Sequence, residues 1–380
     1  MSKRIHLSSP HMSGNELKYV QEAFEKNYVA PVGENITQLE NALQQYLKMP
    51  HVVALNSGTS ALHLALINVG VDRGDEVIVS DFTFSASVNP VLYQRAVPVF
   101  VDCEPSTWNM DPELLEEAIK DRLQQGKKPR AIILAHLYGM PARIDQIRSV
   151  ARRYEIPLIE DAAEALGSRY QGQLVGTFAD MSILSFNGNK IITTSGGGAL
   201  VSKRKDYADH ALYLSMQAKD DTPHYQHSEV GYNYRMSNVL AGIGRAQMEV
   251  LHKRIEQRRH RFHYYKQALG DIEEISFLEE PAGCQSNYWL TTILVHPNGR
   301  GISKEVLRRN LDAQQIDSRP LWKPMHLQPV FEAYPRYLNA TGTDLFQKGL
   351  CLPSGSNLTD EDADKVVQEI KKTFRIASCC

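Results

Sequence analysis

Ser185-Phe186-Asn187-Gly188-Asn189-Lys190-Ile191-Ile192-Thr193-Thr194-Ser195-Gly196-Gly197-Gly198 is the stretch on which the reading of the fold turns. A strand-like segment, Met181 to Ser185, runs into it, and a second, Gly198 to Ser202, leaves it. The polar, glycine-rich middle is therefore a hairpin turn or a crossover at a sheet edge, and it carries one lysine, Lys190. Upstream, Ile156-Pro157-Leu158-Ile159-Glu160-Asp161 is a short continuous apolar run closed by a carboxylate, as a buried strand would be. A lysine amine condenses with an aldehyde, and a carboxylate at a strand end can keep a pyridine nitrogen protonated, so the two together suit pyridoxal phosphate (PLP). The competing reading is a surface lysine beside a solvent-facing strand end. The residues around Lys190 argue against it.

Outward from this stretch, strand-like and helix-like segments alternate. Val52 to Leu55 precedes a helical pattern over Thr59 to Val69, and Glu76 to Ser80 precedes Ser85 to Arg95. Val97 to Asp102 precedes Pro112 to Arg122, Ala131 to Ala135 precedes Ile144 to Tyr154, and Pro157 to Asp161 follows. Short apolar strands separated by helices predict βαβ units, hence an α/β fold with a mostly parallel sheet flanked by helices. Sites in such sheets form where strand C-termini meet loops, and both Asn56-Ser57-Gly58-Thr59 and Asp161 fall there. Two helical patterns come first, near Gly14 to Tyr28 and Glu34 to Lys48, and a long one runs from about Ser237 to Leu269. The remainder reads as strands (Ile275 to Leu278, Trp289 to His296) and helices (Lys304 to Ala313, Asp360 to Phe374), a smaller α+β unit. This predicts a large domain over 1–245, with an N-terminal arm, and a small C-terminal domain over 246–380. The irregular Ser318 to Pro329, dense in Pro, Trp, His, Arg and Lys, is a recognition loop or a stiff connector.

Composition narrows the class. With 380 residues, 42% hydrophobic and 23% charged, the chain is ordinary for a soluble protein with sizeable cores. A formal net charge of -2 provides no global field for nucleic acid or an anionic membrane. The start, Met1-Ser2-Lys3-Arg4-Ile5-His6-Leu7, lacks a signal-peptide apolar core, and no apolar run approaches the ~20 residues that cross a bilayer. Cys103, Cys284, Cys351, Cys379 and Cys380 are odd in number and scattered, with no pair spaced as zinc ligands, so no metal site is expected. Reduced thiols in the cytoplasm are the simplest account, with Cys379-Cys380 as a frayed tail.

Small residues at Ser57, Gly58 and Thr59 open a helix after a strand, and such an N-terminus favours a dianionic phosphate, although a plain N-cap reads the same way. Thr83-Phe84-Ser85-Ala86 follows the next strand. Phe84 there is either a stacking partner for a flat ring or an ordinary core phenylalanine. The alanines after Asp161 leave room for a flat ligand. Glu164, one helical turn on, either faces the same space or pairs with solvent. Ser185 can give a hydroxyl to a phosphate. Gly231-Tyr232-Asn233-Tyr234-Arg235-Met236-Ser237-Asn238 reads by itself as a loop leading into a capped helix.

Strand-Ser-Gly-Thr, Thr-Phe-x-Ala, Glu-Asp-Ala-Ala, Ser-Phe-x4-Lys-x2-Thr-x3-Gly-Gly and Tyr-Asn-Tyr-Arg-Met-Ser, in this order, resemble the DegT-like nucleotide-sugar aminotransferases. These are PLP enzymes of the aspartate aminotransferase-like fold (fold type I). The resemblance runs from Ser9-Pro10-His11-Met12-Ser13-Gly14 to Leu352-Pro353-Ser354-Gly355-Ser356. Asn187-Gly188-Asn189 and Arg319 to Pro329 look like the subgroup acting on UDP-4-keto-6-deoxy-N-acetylglucosamine in bacillosamine-type and exopolysaccharide pathways. The resemblance implies that Lys190 carries the cofactor and shuttles the proton, Asp161 pairs with the pyridinium, and Phe84 stacks on the ring. It puts Glu164 near the ring oxygen, where relatives vary among Gln, His and Glu. It assigns Ser57, Gly58, Thr59 and Ser185 to the phosphate, and Asn233 to the phosphate of a neighbouring subunit, so that two sites are shared across a homodimer. Trp322, Lys323 and His326 are expected near the sugar nucleotide. Glutamate is the implied amino donor, and two half-reactions at one site imply ping-pong kinetics. A 3-aminotransferase on a dTDP-3-keto-6-deoxyhexose is the nearest rival, and a non-catalytic PLP-binding regulator the rival from another class. A Ser-His-Asp hydrolase is a weaker rival still, since no G-x-S-x-G elbow occurs.

Overall fold

A strand that is apolar at every position is stable only where helices cover both faces of its sheet. In the computed structural model, which describes residues 4–297 and 301–376, the runs singled out above take that place. Eight strands form one sheet in the order His51–Leu55, Gly198–Ser202, Met181–Ser185, Leu158–Asp161, Ala131–Ala135, Glu76–Ser80, Val97–Val101 and Arg336–Tyr337. Five of its neighbouring pairs are parallel. The two that involve Gly198–Ser202 are antiparallel. Helices Gly58–Asn68, Asn89–Tyr93 and Lys205–Ser215 bury Leu62, Leu66, Val91 and Leu214 against one face. Pro112–Gln124 and Ile144–Arg153 cover the other face with Leu115, Ile119, Ile144 and Ile147. Beside them Glu34–Leu47 packs Leu39 and Leu43 against Ala54 and Val201. The aspartate aminotransferase-like fold is thus in place, with helices on both faces of a mostly parallel sheet.

A second, four-stranded antiparallel sheet runs in the order Ile275–Phe277, Thr291–Val295, Gly349–Leu352, Arg319–Pro320. Helices Leu251–Leu269, Lys304–Ala313 and Asp360–Ile376 pack on it through Tyr265, Leu311, Val366 and Ile370. Between the two sheets lies a further apolar cluster with Phe82, Tyr138, Phe262, Trp289, Leu321 and Cys351. The N-terminal arm bridges to the smaller sheet, with Ile5 paired to Ile316 and Ser354 N–H donating to Leu7 O.

Several expectations shift. The single long helix over Ser237 to Leu269 is two helices, Asn238–Glu249 and Leu251–Leu269, broken at Val250. The first packs on the helices Glu16–Glu25 and Glu34–Leu47, with Asn15 and Tyr19 donating to Glu249. The second packs on Asp360–Ile376, so each half follows a different layer. Ser85 to Arg95 is a 3-10 turn, Ser85–Ser87, followed by Asn89–Tyr93, because Pro90 cannot donate to a helix that began earlier. The strand expected from Trp289 begins at Thr291, and Ser286 to Leu290 is irregular, with Tyr288 in the left-handed region at φ 46°. Ser318 to Pro329 holds a short strand, Arg319–Pro320, and a 3-10 turn, Met325–Leu327. Helices Lys205–Ser215 and Thr341–Lys348 and strand Gly349–Leu352 were not anticipated. Cys103, Cys284 and Cys351 are free thiols, whereas Met1 to Lys3 and the Cys379-Cys380 pair lie outside the described residues. Among the described residues no helix is long and apolar enough to cross a membrane.

One buried ion pair ties a sheet strand to its covering helix. Arg122 Nε and Nη2 donate to Glu76 at 2.7 and 2.6 Å, and both side chains are almost fully enclosed. Glu76→Ala leaves the guanidinium buried and unpaired, which is expected to cost ~3–5 kcal/mol in urea unfolding. Asp206→Ala, which breaks an exposed pair with Arg204, is expected to leave the midpoint unchanged.

Candidate active site

The hairpin made by Met181–Ser185 and Gly198–Ser202 sets Ser185 opposite Gly198, so residues 186–197 form a loop at the C-terminal edge of the large sheet. The parallel partner of the first strand, Leu158–Asp161, ends at the same edge, with Asp161 opposite Ile183. Lys190 and Asp161 therefore line one cavity of about 350 Å³, within the range of small-molecule sites. Ser57, Gly58, Thr59, Phe84, Glu164, Ser185 and Trp322 line it as well.

One end of the cavity is the N-terminus of helix Gly58–Asn68. Ser57 is its N-cap, and its hydroxyl is already engaged by Ser60 N–H at 3.0 Å and Ser60 Oγ at 2.8 Å. Gly58 must approach the hairpin closely, since a Cβ there would sit 3.1 Å from Ser185 Cβ and 3.2 Å from Leu184 O. A Cβ on Gly198 would collide with the backbone of Ser57 and Gly58. Backbone N–H groups at a helix start, with Ser185, Gly196 and Gly197 across from them, form a concave donor set of the kind that takes a phosphate dianion.

Asp161 is fixed in orientation. Its Oδ2 accepts from Ser87 Oγ at 2.6 Å and its Oδ1 from Ala163 N–H at 3.1 Å. Behind it Glu160 is fully buried, yet its carboxyl is held below the usual range. Burial alone would raise it, and hydrogen bonds from His136, Ala179 and Gly176 outweigh that. His136 accepts Ala142 N–H on Nδ1, which leaves Nε2–H to donate to Glu160 at 3.1 Å.

Lys190 has a side chain 12% exposed, its Nζ 3.5 Å from Glu164 Oε1 and 4.2 Å from the centre of the Trp289 ring. Contacts of this second kind are worth ~0.5–2 kcal/mol to a cation, more as water is excluded. Glu164 faces the cavity rather than solvent, and its other oxygen accepts Tyr138 N–H at 2.7 Å. Burial pushes the Glu164 carboxyl up, with Lys190 and the Tyr138 amide pulling the other way. Tyr138 delivers that amide from the left-handed region, φ 55°, in a turn with Gly139 at φ 89°.

Phe84 is not a core residue. It is 47% exposed at the cavity, its ring centre 5.0 Å from that of Trp322. Trp322 lies nearly parallel to Tyr138, and Tyr138 to Trp289, so an aromatic wall runs from Phe84 to Lys190. Three residues of the expected site do not line the cavity. Lys323 sits beside Trp322 but outside the lining. His326 is 8% exposed and bound to Asp81 through its backbone N–H at 2.8 Å and its Nδ1 at 2.6 Å, which anchors the loop that carries Trp322. Asn233 is exposed, and its carbonyl accepts from Asn56 Nδ2 at 3.1 Å. Ser87, His136 and Trp289 line the cavity and were not anticipated. Nothing in their local sequence marks them, because each is brought in by a fold contact rather than a motif.

An amine and an oriented carboxylate at the C-terminal edge of a parallel sheet, beside an anion-ready helix start, define a PLP enzyme of fold type I. The chain belongs to the DegT/DnrJ/EryC1/StrS aminotransferase family, whose description it matches over residues 10–371. Members are PLP-dependent transferases that act on sugar nucleotides. The chain is 47% identical over 378 residues to EpsN of Bacillus subtilis (strain 168), which bears the name of a PLP-dependent aminotransferase, with 98% of this chain and 97% of that one covered. It is 37% identical to the GDP-perosamine synthase of Caulobacter vibrioides, covering 98% of each. A crystal structure of a DegT DnrJ EryC1 StrS aminotransferase from Brucella abortus superposes with a TM-score of 0.88 at 29% identity, over 94% of this chain and 95% of that one.

The raised Glu164 carboxyl has a thermodynamic consequence in cofactor-free protein. A carboxyl whose value is higher folded than unfolded contributes stability that is complete below the unfolded value and is lost as pH rises through the folded one. Glu164→Gln keeps the acceptor for Tyr138 N–H and removes the charge. Its melting temperature is expected to gain on the parent as pH rises from acid to neutral, with no gain in acid.

Proposed function

We propose that the chain moves the amino group of L-glutamate to carbon 4 of a nucleotide-linked 4-keto-6-deoxy sugar. The preferred acceptor is UDP-2-acetamido-2,6-dideoxy-4-keto-hexose, and the products are the 4-amino sugar and 2-oxoglutarate. The observation that carries this reading is that Asn187, Asn189 and Trp322, from the two stretches that resemble the UDP-sugar subgroup, line the same cavity as Lys190. A GDP-linked sugar is the second reading, favoured by the 37% identity to GDP-perosamine synthase.

Bound PLP supplies an aldehyde and an electron-accepting ring. Lys190 Nζ takes the proton from the donor's α-carbon and later returns one to carbon 4 of the sugar. Asp161, held by Ser87 and Ala163, would keep the ring nitrogen protonated, and Phe84 and Glu164 would help hold the ring. Gly58, Thr59 and Ser185 would hold the phosphate, and Ser57 keeps the helix start in place. Trp322 and Lys323 meet the nucleotide sugar, and His326 seats their loop through Asp81. In this reading residues 1–245 hold the cofactor and 246–380 supply the loop over it. The protein is a homodimer in which Asn233 reaches the phosphate of the opposite site.

Purified protein incubated with PLP, L-glutamate and UDP-, GDP- and dTDP-linked keto-sugars is expected to give the mass of an amino sugar, most rapidly with the UDP-4-keto compound. Product only from a 3-keto dTDP sugar would overturn the proposal. Homodimers of Lys190→Ala and of Asn233→Asp are both expected to be poorly active, the second because a carboxylate beside the phosphate is repelled. A mixed dimer of the two carries one intact site and should recover up to roughly half the parental activity, by counting under two-fold symmetry. Isolated heterodimers that are folded yet inactive would remove Asn233 from the shared site.

A further inference from the structure

We propose that Trp289 positions the Lys190 amine: the indole face is the resting place of that amine whenever it is not joined to the cofactor. Trp289 is 1% exposed, lines the cavity, and reaches it from the irregular lead into strand Thr291–Val295. It grips the lysine turn at two points. Its ring lies 4.2 Å from Lys190 Nζ, and its Nε1–H donates to Asn189 O at 2.7 Å, the carbonyl just before the lysine.

The tryptophan is itself held from behind. Arg258 is enclosed and donates to Trp289 O, to Ser354 O at 3.3 Å, to Ser8 Oγ at 3.0 Å and to Lys190 O at 3.4 Å. None of these partners is a carboxylate. An enclosed guanidinium whose Nη groups bond to neutral partners and whose Nε–H has none is costly in solvation, and its position spanning the lysine turn and the tryptophan is where that cost has a use. On the other side Trp289 N–H donates to Asn287 Oδ1 at 2.8 Å, and Asn287 Nδ2 donates to Glu164 O at 3.0 Å. The same short segment thus fixes both flanks of the cavity.

An aromatic face suits an amine that must leave and return. It attracts the ammonium without demanding one hydrogen-bond direction, so the side chain stays near its target while its end remains free to turn. A lysine without such a surface samples many rotamers and spends less time in reach.

This inference rests on the assignment of Lys190 as the cofactor lysine, and the experiment separates the two. Cofactor-free protein is mixed with PLP, and the spectral change that reports the covalent link is timed. Affinity for pyridoxamine phosphate, which needs no lysine link, is measured in parallel. Trp289→Leu is expected to slow linkage severalfold, because the Lys190 side chain then samples rotamers that carry its end out of reach, while pyridoxamine phosphate affinity stays within about twofold. Trp289→Phe, which keeps a ring, is expected to recover most of the rate. In turnover, kcat should fall in Trp289→Leu with KM for the keto-sugar unchanged. If Trp289→Leu does not fold, Trp289→Met, which fills more of the space, is read the same way. Linkage at the parental rate without the ring, or equal losses of linkage rate and pyridoxamine phosphate affinity in both ring-lacking and ring-keeping variants, would overturn the inference. Linkage to a different lysine would instead overturn the assignment of Lys190.

Discussion

The pairing of Met181–Ser185 with Leu158–Asp161 on one side and Gly198–Ser202 on the other is the constraint from which the site follows. A strand shifted in register by one residue would turn each side chain to the opposite face. With Asp161 opposite Ile183 and Ser185 opposite Gly198, the carboxylate and the lysine loop emerge at one edge, beside the start of helix Gly58–Asn68. Two glycines make that meeting possible, because Gly58 and Gly198 bring helix start and hairpin to backbone contact. The concave donor set exists only because no side chain fills it.

Much of this was legible in the sequence. The strands around the site read directly, because burial on both faces favours apolar residues along them, and Asp161, Gly58 and Thr59 sit at or just past strand ends, with Lys190 in the loop beyond one. What stayed hidden depends on contacts between distant segments. Val250 breaks a helix whose periodicity continues through it, since the two halves answer to different layers. Phe84 could be read as core or as cavity wall, and only the packing of Trp322 beside it decides. The polar loop Ser318 to Pro329 gives no period to read, yet it contributes a strand to the smaller sheet and, through His326 and Asp81, a fastening to the larger one.

The polar interior is ordered by the same geometry. Asp161 is oriented by Ser87 and Ala163, and Glu160 is kept ionised by a ring of donors that includes His136. Glu164, less well supplied, is pushed towards its neutral form. Glu160 and Glu164, both buried, thus differ in direction because their donors differ.

The central claim is that Lys190 is the lysine that carries the cofactor and that the loop of the hairpin exists to present it. Borohydride reduction of PLP-loaded protein, followed by proteolysis and mass mapping, tests this most directly. The cofactor mass is expected on the peptide containing Lys190, and Lys190→Ala is expected to bind PLP without retaining it after reduction. Recovery of the label on another lysine, with Lys190→Ala still labelled, would contradict the account.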